Sequence, residues 1–307
     1  MAGETLSIVV PCYNEADNVV KFAEAVDKLQ LDAVVEYVFV DDGSTDGTLE
    51  ALKSLQSADP RIHYVSFSRN FGKESALLAG LEFSSGSYVV TMDADLQHRP
   101  ALLPEMLKEI RSDDVDCVAV KRESREGESR LRAWLSSKFY GVMGKLSEIQ
   151  VHEGHMDYRM MKRRVVDAVL SMREANRFTK GIYQWVGFKT KWIVAKVDQR
   201  VDGKSKWSLW SLFCYSARGI VSFSTAPLQL ASLLGALFSI PAFFYMVFVM
   251  LQWAFCGNKV SGWATLICAI LFIGGIQLLV AGILGTYLAF VYREVKRRPP
   301  YIVRERQ

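Results

Sequence analysis

Two carboxylates, Asp93 and Asp95, stand one residue apart directly after the apolar run Val89–Met92. Carboxylates at this spacing at the end of a buried strand repel each other, and a divalent cation relieves the repulsion. Mg2+ or Mn2+ commonly takes one or two carboxylates and completes its shell with substrate phosphates. A bare D-x-D is also ordinary turn chemistry, so the pair alone decides nothing. Two other polar clusters follow apolar runs in the same way: Pro11-Cys12-Tyr13-Asn14-Glu15 and Asp41-Asp42-Gly43-Ser44-Thr45-Asp46-Gly47. The second is not a calcium loop, because its twelfth position from Asp42 is Lys53 where an EF-hand has Glu. No G-x-G-x-x-G or G-x-x-x-x-G-K-[ST] follows any apolar run, which argues against dinucleotide and P-loop enzymes. None of the five cysteines forms a C-x-x-C pair, so neither a zinc site nor a disulfide framework is indicated.

The elements that must position these residues are legible. Leu6–Val10, Val34–Val40, His63–Phe67, Tyr88–Met92 and Cys117–Val120 read as buried strands. Between them Ala16–Leu29, Thr48–Ala58, Lys73–Phe83 and Ala101–Ile110 carry apolar residues at helical spacing, as in Leu102, Leu103, Met106, Leu107 and Ile110. Alternating strand and helix predicts an α/β domain with a mostly parallel sheet and right-handed crossovers. Ligands of such sheets bind beyond the carboxyl ends of the strands. All three polar clusters sit there.

Charge divides the 307 residues into parts. Residues 1–157 carry net −11, residues 158–218 net +10 and residues 219–307 net +5. The largest part is acidic, and the basic excess adjoins an apolar stretch. That points to a membrane surface and away from nucleic acid. Between Arg218 and Arg293 the only charged residue is Lys259. Leu228–Trp253 and Trp263–Tyr292 each exceed the ~20 residues needed to cross a bilayer, with Ala254–Gly262 as the loop between them. Pro241 interrupts the first span, and Gly274, Gly275, Gly282 and Gly285 would allow close helix packing in the second. Basic residues flank the hairpin on both outer sides, which predicts both termini in the cytoplasm. The expected organisation is a catalytic domain over 1–206, an interfacial amphipathic helix over 207–224 with Trp207 and Trp210, a transmembrane hairpin over 225–293 and a basic tail over 294–307.

The strings VVPCYNE, VFVDDGSTDGT, SRNFGKESALLAG and VTMDADLQH, in this order and each at a strand end, resemble family-2 glycosyltransferases of the GT-A fold. KRESREGES, RFTKGIYQWVGF and QRVDGKSKWSLW, followed by two apolar spans, are similar to the polyprenyl-phosphate branch. The resemblance covers almost the whole chain. It implies that Pro11, Tyr13, Glu15 and Asp42 hold a uridine; a carboxylate can accept the uracil N–H, and an aromatic ring can cover a base. It implies that Asp93 and Asp95 bind Mg2+ or Mn2+ at the donor diphosphate, with Gln97 nearby. It gives Asp157, in GHMDYRMM, an active-site role toward the acceptor or the sugar. Related sequences usually place Gly before this acid, where this chain has Met156. Lys73 either meets a phosphate or sugar hydroxyl or is a solvated lysine at a helix start.

The implied reaction moves a hexose, glucose from UDP-glucose, onto undecaprenyl phosphate. An anionic phosphate acceptor needs positive charge and alignment more than a strong general base. Candidates for the acceptor clamp are Arg122, Arg125 and Arg130, and, before the membrane, Arg200, Lys204 and Lys206. Each could equally contact a lipid headgroup or be solvated. Another sugar, such as mannose, galactose or an aminoarabinose derivative, keeps the same chemistry. A processive synthase would carry Q-x-x-R-W, absent here, and a non-catalytic carrier protein would not need Asp42, Asp93 and Asp95. The resemblance also implies the bacterial inner membrane as location, and a flippase and a downstream glycosyltransferase in the same pathway. The glycines permit a homo-oligomer without demanding one.

Overall fold

A computed structural model of the chain describes residues 4–122, 155–195, 225–256 and 262–307. The strand–helix alternation is β1 (Thr5–Cys12), α1 (Ala16–Asp27), β2 (Val34–Asp41), α2 (Thr48–Ala58), β3 (Ile62–Phe67), α3 (Lys73–Phe83) and β4 (Tyr88–Thr91). A 3-10 turn, Pro100–Leu102, then leads into α4 (Leu103–Ile110) and β5 (Cys117–Arg122). Further along come β6 (His155–Lys162), α5 (Arg163–Ser171), α6 (Thr179–Trp185) and β7 (Thr190–Ala195). Two long helices, α7 (Ala226–Cys256) and α8 (Trp263–Lys296), precede a last strand, β8 (Val303–Arg306).

The strands form one sheet in the order β7-β5-β6-β4-β1-β2-β3-β8. β4, β1, β2 and β3 are parallel. β6 lies antiparallel between β4 and β5, and β8 lies antiparallel on β3. Both faces of the sheet are covered, which is why its strands read as near-continuous apolar runs. On one face Leu6, Ile8, Val10, Phe39 and Met160 pack with Phe22 of α1 and with Leu103, Met106 and Ile110 of α4. On the other, Val9, Val38, Val89 and Met161 pack with Leu81 of α3, Val166 of α5 and Ile182 of α6. Gly80 lets α3 approach β1 closely, because a Cβ there would lie 2.2 Å from Val9 Cγ1.

The C-terminal residues do more than form the expected basic tail. β8 extends the sheet beyond β3, Tyr301 stacks on Phe67 with centroids 4.8 Å apart, and Lys53 pairs with Glu305 at 2.7 Å. The sheet that holds the N-terminal strand therefore also holds the C-terminal one.

Leu228–Tyr245 in α7 and Phe272–Lys296 in α8 are long and apolar enough to cross a membrane. Their side chains are almost wholly exposed, the opposite of a soluble core helix. At ~1.5 Å per residue, the 34 residues of α8 extend roughly 50 Å against a hydrocarbon core of about 30 Å. Phe238 and Phe272 meet edge-on between the two helices, at 5.5 Å. α7 continues through Pro241. Among the described residues a Cβ on Gly274, Gly275, Gly282 or Gly285 would meet nothing within 4 Å, so these positions stand open. The helix expected over 207–224 lies outside the described residues.

Candidate active site

The carboxyl ends of β1, β2 and β4 point to one edge of the sheet, and loops stitched to one another carry the polar clusters. After β1, Asn14 takes a left-handed φ of 56°. Its backbone N–H donates to Ser44 Oγ (3.0 Å), and its Oδ1 accepts from Thr45 N (2.9 Å). The Glu15 N–H donates to Thr48 Oγ1 at 2.9 Å. Tyr13 is 40% exposed at this edge, and Pro11 and Glu15 are half-buried beside it.

Asp41 and Asp42 are both buried. Asp41 accepts from Ser44 N (3.0 Å) and Ser66 Oγ (2.7 Å). Asp42 accepts the backbone N–H of Phe71 (2.6 Å) and of Gly72 (2.9 Å), one on each carboxylate oxygen. Burial pushes its carboxyl up, and the two N–H bonds oppose that. Asp42 thus holds the loop that delivers Lys73, and each oxygen keeps a second lone pair for a ligand. Gly43, at φ +67°, is required by this arrangement, since a Cβ there would lie 2.4 Å from the Arg69 carbonyl carbon.

Lys73, the first residue of α3, reaches the centre of the edge. Its Nζ lies 2.6 Å from Asp93 Oδ1, 2.9 Å from Asp93 Oδ2 and 3.1 Å from Asp157 Oδ2. Neither alternative from the sequence describes it fully: Lys73 is neither simply solvated nor facing only the donor, but bridges two carboxylates. Burial disfavours its charge, yet Asp93 and Asp157 outweigh that and raise its pKa.

Asp157 comes into place through strand pairing. β6 runs antiparallel to β4 with Thr91 opposite Arg159 and Tyr88 opposite Lys162. The same register carried two residues on sets Asp93 opposite Asp157. Thr91 Oγ1 donates to the Asp157 carbonyl. Burial works against ionisation of Asp157, but Lys73 and Lys180 beside it win and hold its carboxyl at about 2. Lys180 Nζ stands 3.7 Å from Asp157 Oδ1. Met156 lies in β6 and packs on the core.

The loop after β4 is shaped by His98, whose Nδ1 accepts the Asp93 N–H at 2.9 Å. That bond places the ring proton on Nε2 in the neutral tautomer, and burial lowers the His98 pKa. Tyr158 stacks on His98 at 5.1 Å. Residues alternate faces along β6, so Arg159 joins Asp157 on the other side, buried between the rings of Tyr183 (4.6 Å) and Trp192 (5.4 Å). Leu96 takes a left-handed φ of 58°, and Asp95 accepts the Gln97 N–H at 3.1 Å. Burial raises the Asp93 pKa, but Lys73 and His98 reverse this, so Asp93 is ionised.

Asp93, Asp95, Gln97, Lys73 and Asp157 thus meet at one edge, with Tyr13, Glu15 and Asp42 on the neighbouring loops. Arg122 is the last residue of β5. Arg125, Arg130, Arg200, Lys204 and Lys206 lie outside the described residues. Sequence reasoning passed over His98, Glu74 and Lys180. Each stands inside a string that carries the resemblance, DADLQH, NFGKE and RFTKG, but only the folded chain sets His98 on Asp93, Lys180 beside Asp157 and Glu74 on Thr179.

Among the described residues no three His, Cys, Asp or Glu side chains are grouped as a ready-made metal site. Two oxygen ligands at the end of β4 fit a hard cation that takes its remaining ligands from a substrate diphosphate. The donor set fits Mg2+ and Mn2+ alike.

The chain is similar to known proteins over most of its length. The family model described as glycosyl transferase family 2 matches residues 7–170. CsbB of Bacillus subtilis, named a glycosyltransferase, is 40% identical over 98% of this chain and 91% of its own length. The SfII prophage-derived bactoprenol glucosyl transferase of Shigella flexneri is 37% identical over 98% of this chain and 97% of its own. Among solved structures, glucosyl-3-phosphoglycerate synthase of Mycobacterium tuberculosis with Mn2+, UDP-glucose and phosphoglyceric acid overlays with a TM-score of 0.44. It is 22% identical and covers 72% of this chain and 78% of that one. A likeness this loose assigns neither ligand nor residue. The mostly parallel sheet with its polar carboxyl edge is the GT-A arrangement, and the chain belongs to glycosyl transferase family 2.

Proposed function

We propose that this chain is a membrane-anchored, metal-dependent hexosyltransferase that moves glucose from UDP-glucose onto undecaprenyl phosphate at the cytosolic face of a bacterial inner membrane. One observation carries the reading: the likeness to the SfII bactoprenol glucosyl transferase covers 98% of this chain, the two apolar helices as well as the carboxylate centre. The topology supports the location. Two crossings return the C-terminus to the side of the catalytic domain, and β8 pairs with β3 of the same sheet.

Asp93 and Asp95 would hold the cation, with Gln97 beside them. When bound, Mg2+ or Mn2+ stabilises the negative charge that builds on the departing nucleoside diphosphate. Pro11, Tyr13, Glu15 and Asp42 would receive the uridine. Lys73 brings positive charge to an edge that must accept two anions, donor and acceptor, at once. Asp157, held ionised far below neutral pH, is suited to orienting a hydroxyl or countering a cation and unsuited to donating a proton. The acceptor oxygen is already anionic at pH 7, so a single displacement at C1 needs alignment more than a base. That displacement inverts the anomer and gives a β-linked lipid from an α-linked donor. Arg122, Arg125, Arg130, Arg200, Lys204 and Lys206 are the candidates to clamp the lipid phosphate, since guanidinium forks suit that group.

The test is transfer from radiolabelled UDP- and GDP-sugars to undecaprenyl phosphate in purified membranes, with Mg2+, with Mn2+ and with EDTA. Chelator-sensitive label entering lipid from UDP-glucose alone is the expected result. Label from a mannose, galactose or aminoarabinose donor corrects the sugar, and no lipid label from any donor overturns the reading. Co-purification of a second copy, a flippase or a downstream glycosyltransferase tests the remaining partners.

A further inference from the structure

The cytosolic end of α8 touches the chain that carries Lys180. Glu294 Oε1 accepts the Ala175 N–H at 2.7 Å, and Arg293 donates to Asn176 Oδ1 at 3.1 Å. The segment between these contacts and Lys180 is short and held along its length. The Arg177 guanidinium donates back to the carbonyls of Met172 and Val169 at the end of α5. The Thr179 N–H and Oγ1 both donate to Glu74 Oε2, at 2.9 Å for the backbone bond. Lys180 follows directly, with its Nζ 3.7 Å from Asp157 Oδ1. Two carboxylates therefore grip residues 175–179, Glu74 from the helix that begins with Lys73 and Glu294 from the helix that reads as a membrane span.

We propose that Glu294 is a positioning residue: by accepting the Ala175 N–H it seats segment 175–180, so that the seating of α8 sets Lys180 against Asp157. The proposal rests on the transferase reading above and deepens it. An enzyme whose acceptor is a lipid headgroup works at a fixed height above the bilayer. A contact between the spanning helix and a lysine at the carboxylate centre ties catalytic geometry to that height. The chain beyond α8 makes a parallel connection, since Ser75 Oγ donates to the Pro300 carbonyl at 3.0 Å, two residues from Lys73. Glu294 touches no reacting group. It acts through a backbone N–H, which any oxygen acceptor of the same reach can satisfy.

The experiment compares full-length wild type, Glu294→Gln and Glu294→Ala in lipid nanodiscs. Amide hydrogen exchange is read without substrate, and kcat and donor KM are read in the transfer assay, normalised to folded protein. Glu294→Ala is expected to speed exchange in residues 175–180 about fivefold. It should lower kcat about tenfold with donor KM unchanged, since misplacement of a group by about 1 Å can cost up to ~100-fold. Glu294→Gln, which keeps the accepting oxygen, is expected to restore both. A purely structural role would lower the thermal midpoint and leave kcat per folded molecule intact, and that result overturns the proposal. Unchanged exchange in Glu294→Ala, or Glu294→Gln behaving as Glu294→Ala, overturns it too. If the wild type transfers no sugar, the transferase reading fails. Exchange released in Glu294→Ala and restored in Glu294→Gln would then still support the seating.

Discussion

Replacing Lys73 by Met tests the electrostatic centre most directly. The change keeps the length and apolar stem of the side chain and removes its charge. Lys73 Nζ lies 2.6 Å from Asp93 and 3.1 Å from Asp157. At an effective dielectric of ~20, each contact is a gross attraction of about 5–6 kcal/mol. Desolvation of the three groups returns most of this. Removing one partner of a well-buried pair typically costs ~3–5 kcal/mol. The Lys73 side chain is 43% exposed, so solvent screens part of the loss. The expected cost is about 2–3 kcal/mol at pH 7. For a domain of this size that lowers the thermal midpoint by about 5–10 °C.

The pH dependence separates this account from a packing defect. Asp157 titrates at about 2 against an ordinary 3.8. A carboxyl depressed in the folded state adds stability that is fully present above the unfolded value. Here that is about 2 kcal/mol, lost as pH falls from about 4 toward 2. Without Lys73 the depression goes, and Asp93 and Asp157 face each other as like charges whose pKa values rise. The gap between wild type and Lys73→Met should be wide at pH 7 and narrow progressively as pH falls through the carboxylate range toward about 2. The assay is thermal unfolding of the full chain in detergent with EDTA, from pH 3.5 to 8. An equal gap at pH 4 and pH 7 would refute the reasoning, because protonating the carboxylates would then have relieved nothing.

Asp93→Asn and Asp95→Asn should each reduce transfer at least 100-fold, on the order seen for lost transition-state charge stabilisation, with membrane insertion unchanged. Transfer at the wild-type rate would remove the metal assignment. Gly43→Ala forces a Cβ to within 2.4 Å of the Arg69 backbone at φ +67°. The expected loss of about 1–3 kcal/mol in unfolding free energy would appear as a lower denaturation midpoint. Tyr301→Ala removes the stack on Phe67 and the hydrogen bond to Glu82. It should cost about 1–2 kcal/mol and speed proteolysis after α8, since β8 is an edge strand. Gly282→Leu should leave insertion and thermal midpoint unchanged, and a loss of either would mean that this face packs against protein.

The first 110 residues were legible because strands buried on both faces read as unbroken apolar runs, and their polar ends must then face a ligand edge. The boundaries of α2 and α3 coincide with the periodic segments. β6 was not legible as a strand. His155–Lys162 carries Asp157, Arg159 and Lys162 within eight residues, so only its alternate positions Met156, Tyr158 and Met160 are apolar on the core face, and it lacks the continuous apolar run of β1 or β2. Those charges are tolerated because partners far away in sequence neutralise or cover them: Lys73 and Lys180 for Asp157, two aromatic rings for Arg159. β8 escaped for the complementary reason. Val303-Arg304-Glu305-Arg306 is charged as edge strands commonly are, so it reads as a tail. Asp42 illustrates a different limit. A buried acid at a strand end reads as a ligand contact, while its first use is to hold the Phe71–Gly72 backbone.

The direction of β6 explains why an acid some sixty residues from the D-x-D belongs to the same centre. A parallel strand presents its last residues at the carboxyl edge of the sheet. An antiparallel strand presents its first. Asp157 is near the start of β6, and Lys162, at its end, lies roughly 16 Å away toward the opposite edge at ~3.3 Å per residue. Had the strand been parallel, Lys162 would stand beside Asp93 and Asp157 would face the far side. The reversal of β6 between β4 and β5 therefore brings a third carboxylate to an edge that already holds two. The two nearby lysines then follow as an electrostatic requirement, since Asp93 and Asp157 cannot both stay ionised at this distance without them. Both lysines stand at or next to the first residue of a helix, α3 and α6, where the backbone N–H groups add positive potential of their own. The two lysines in this way offset the negative charge gathered at this edge.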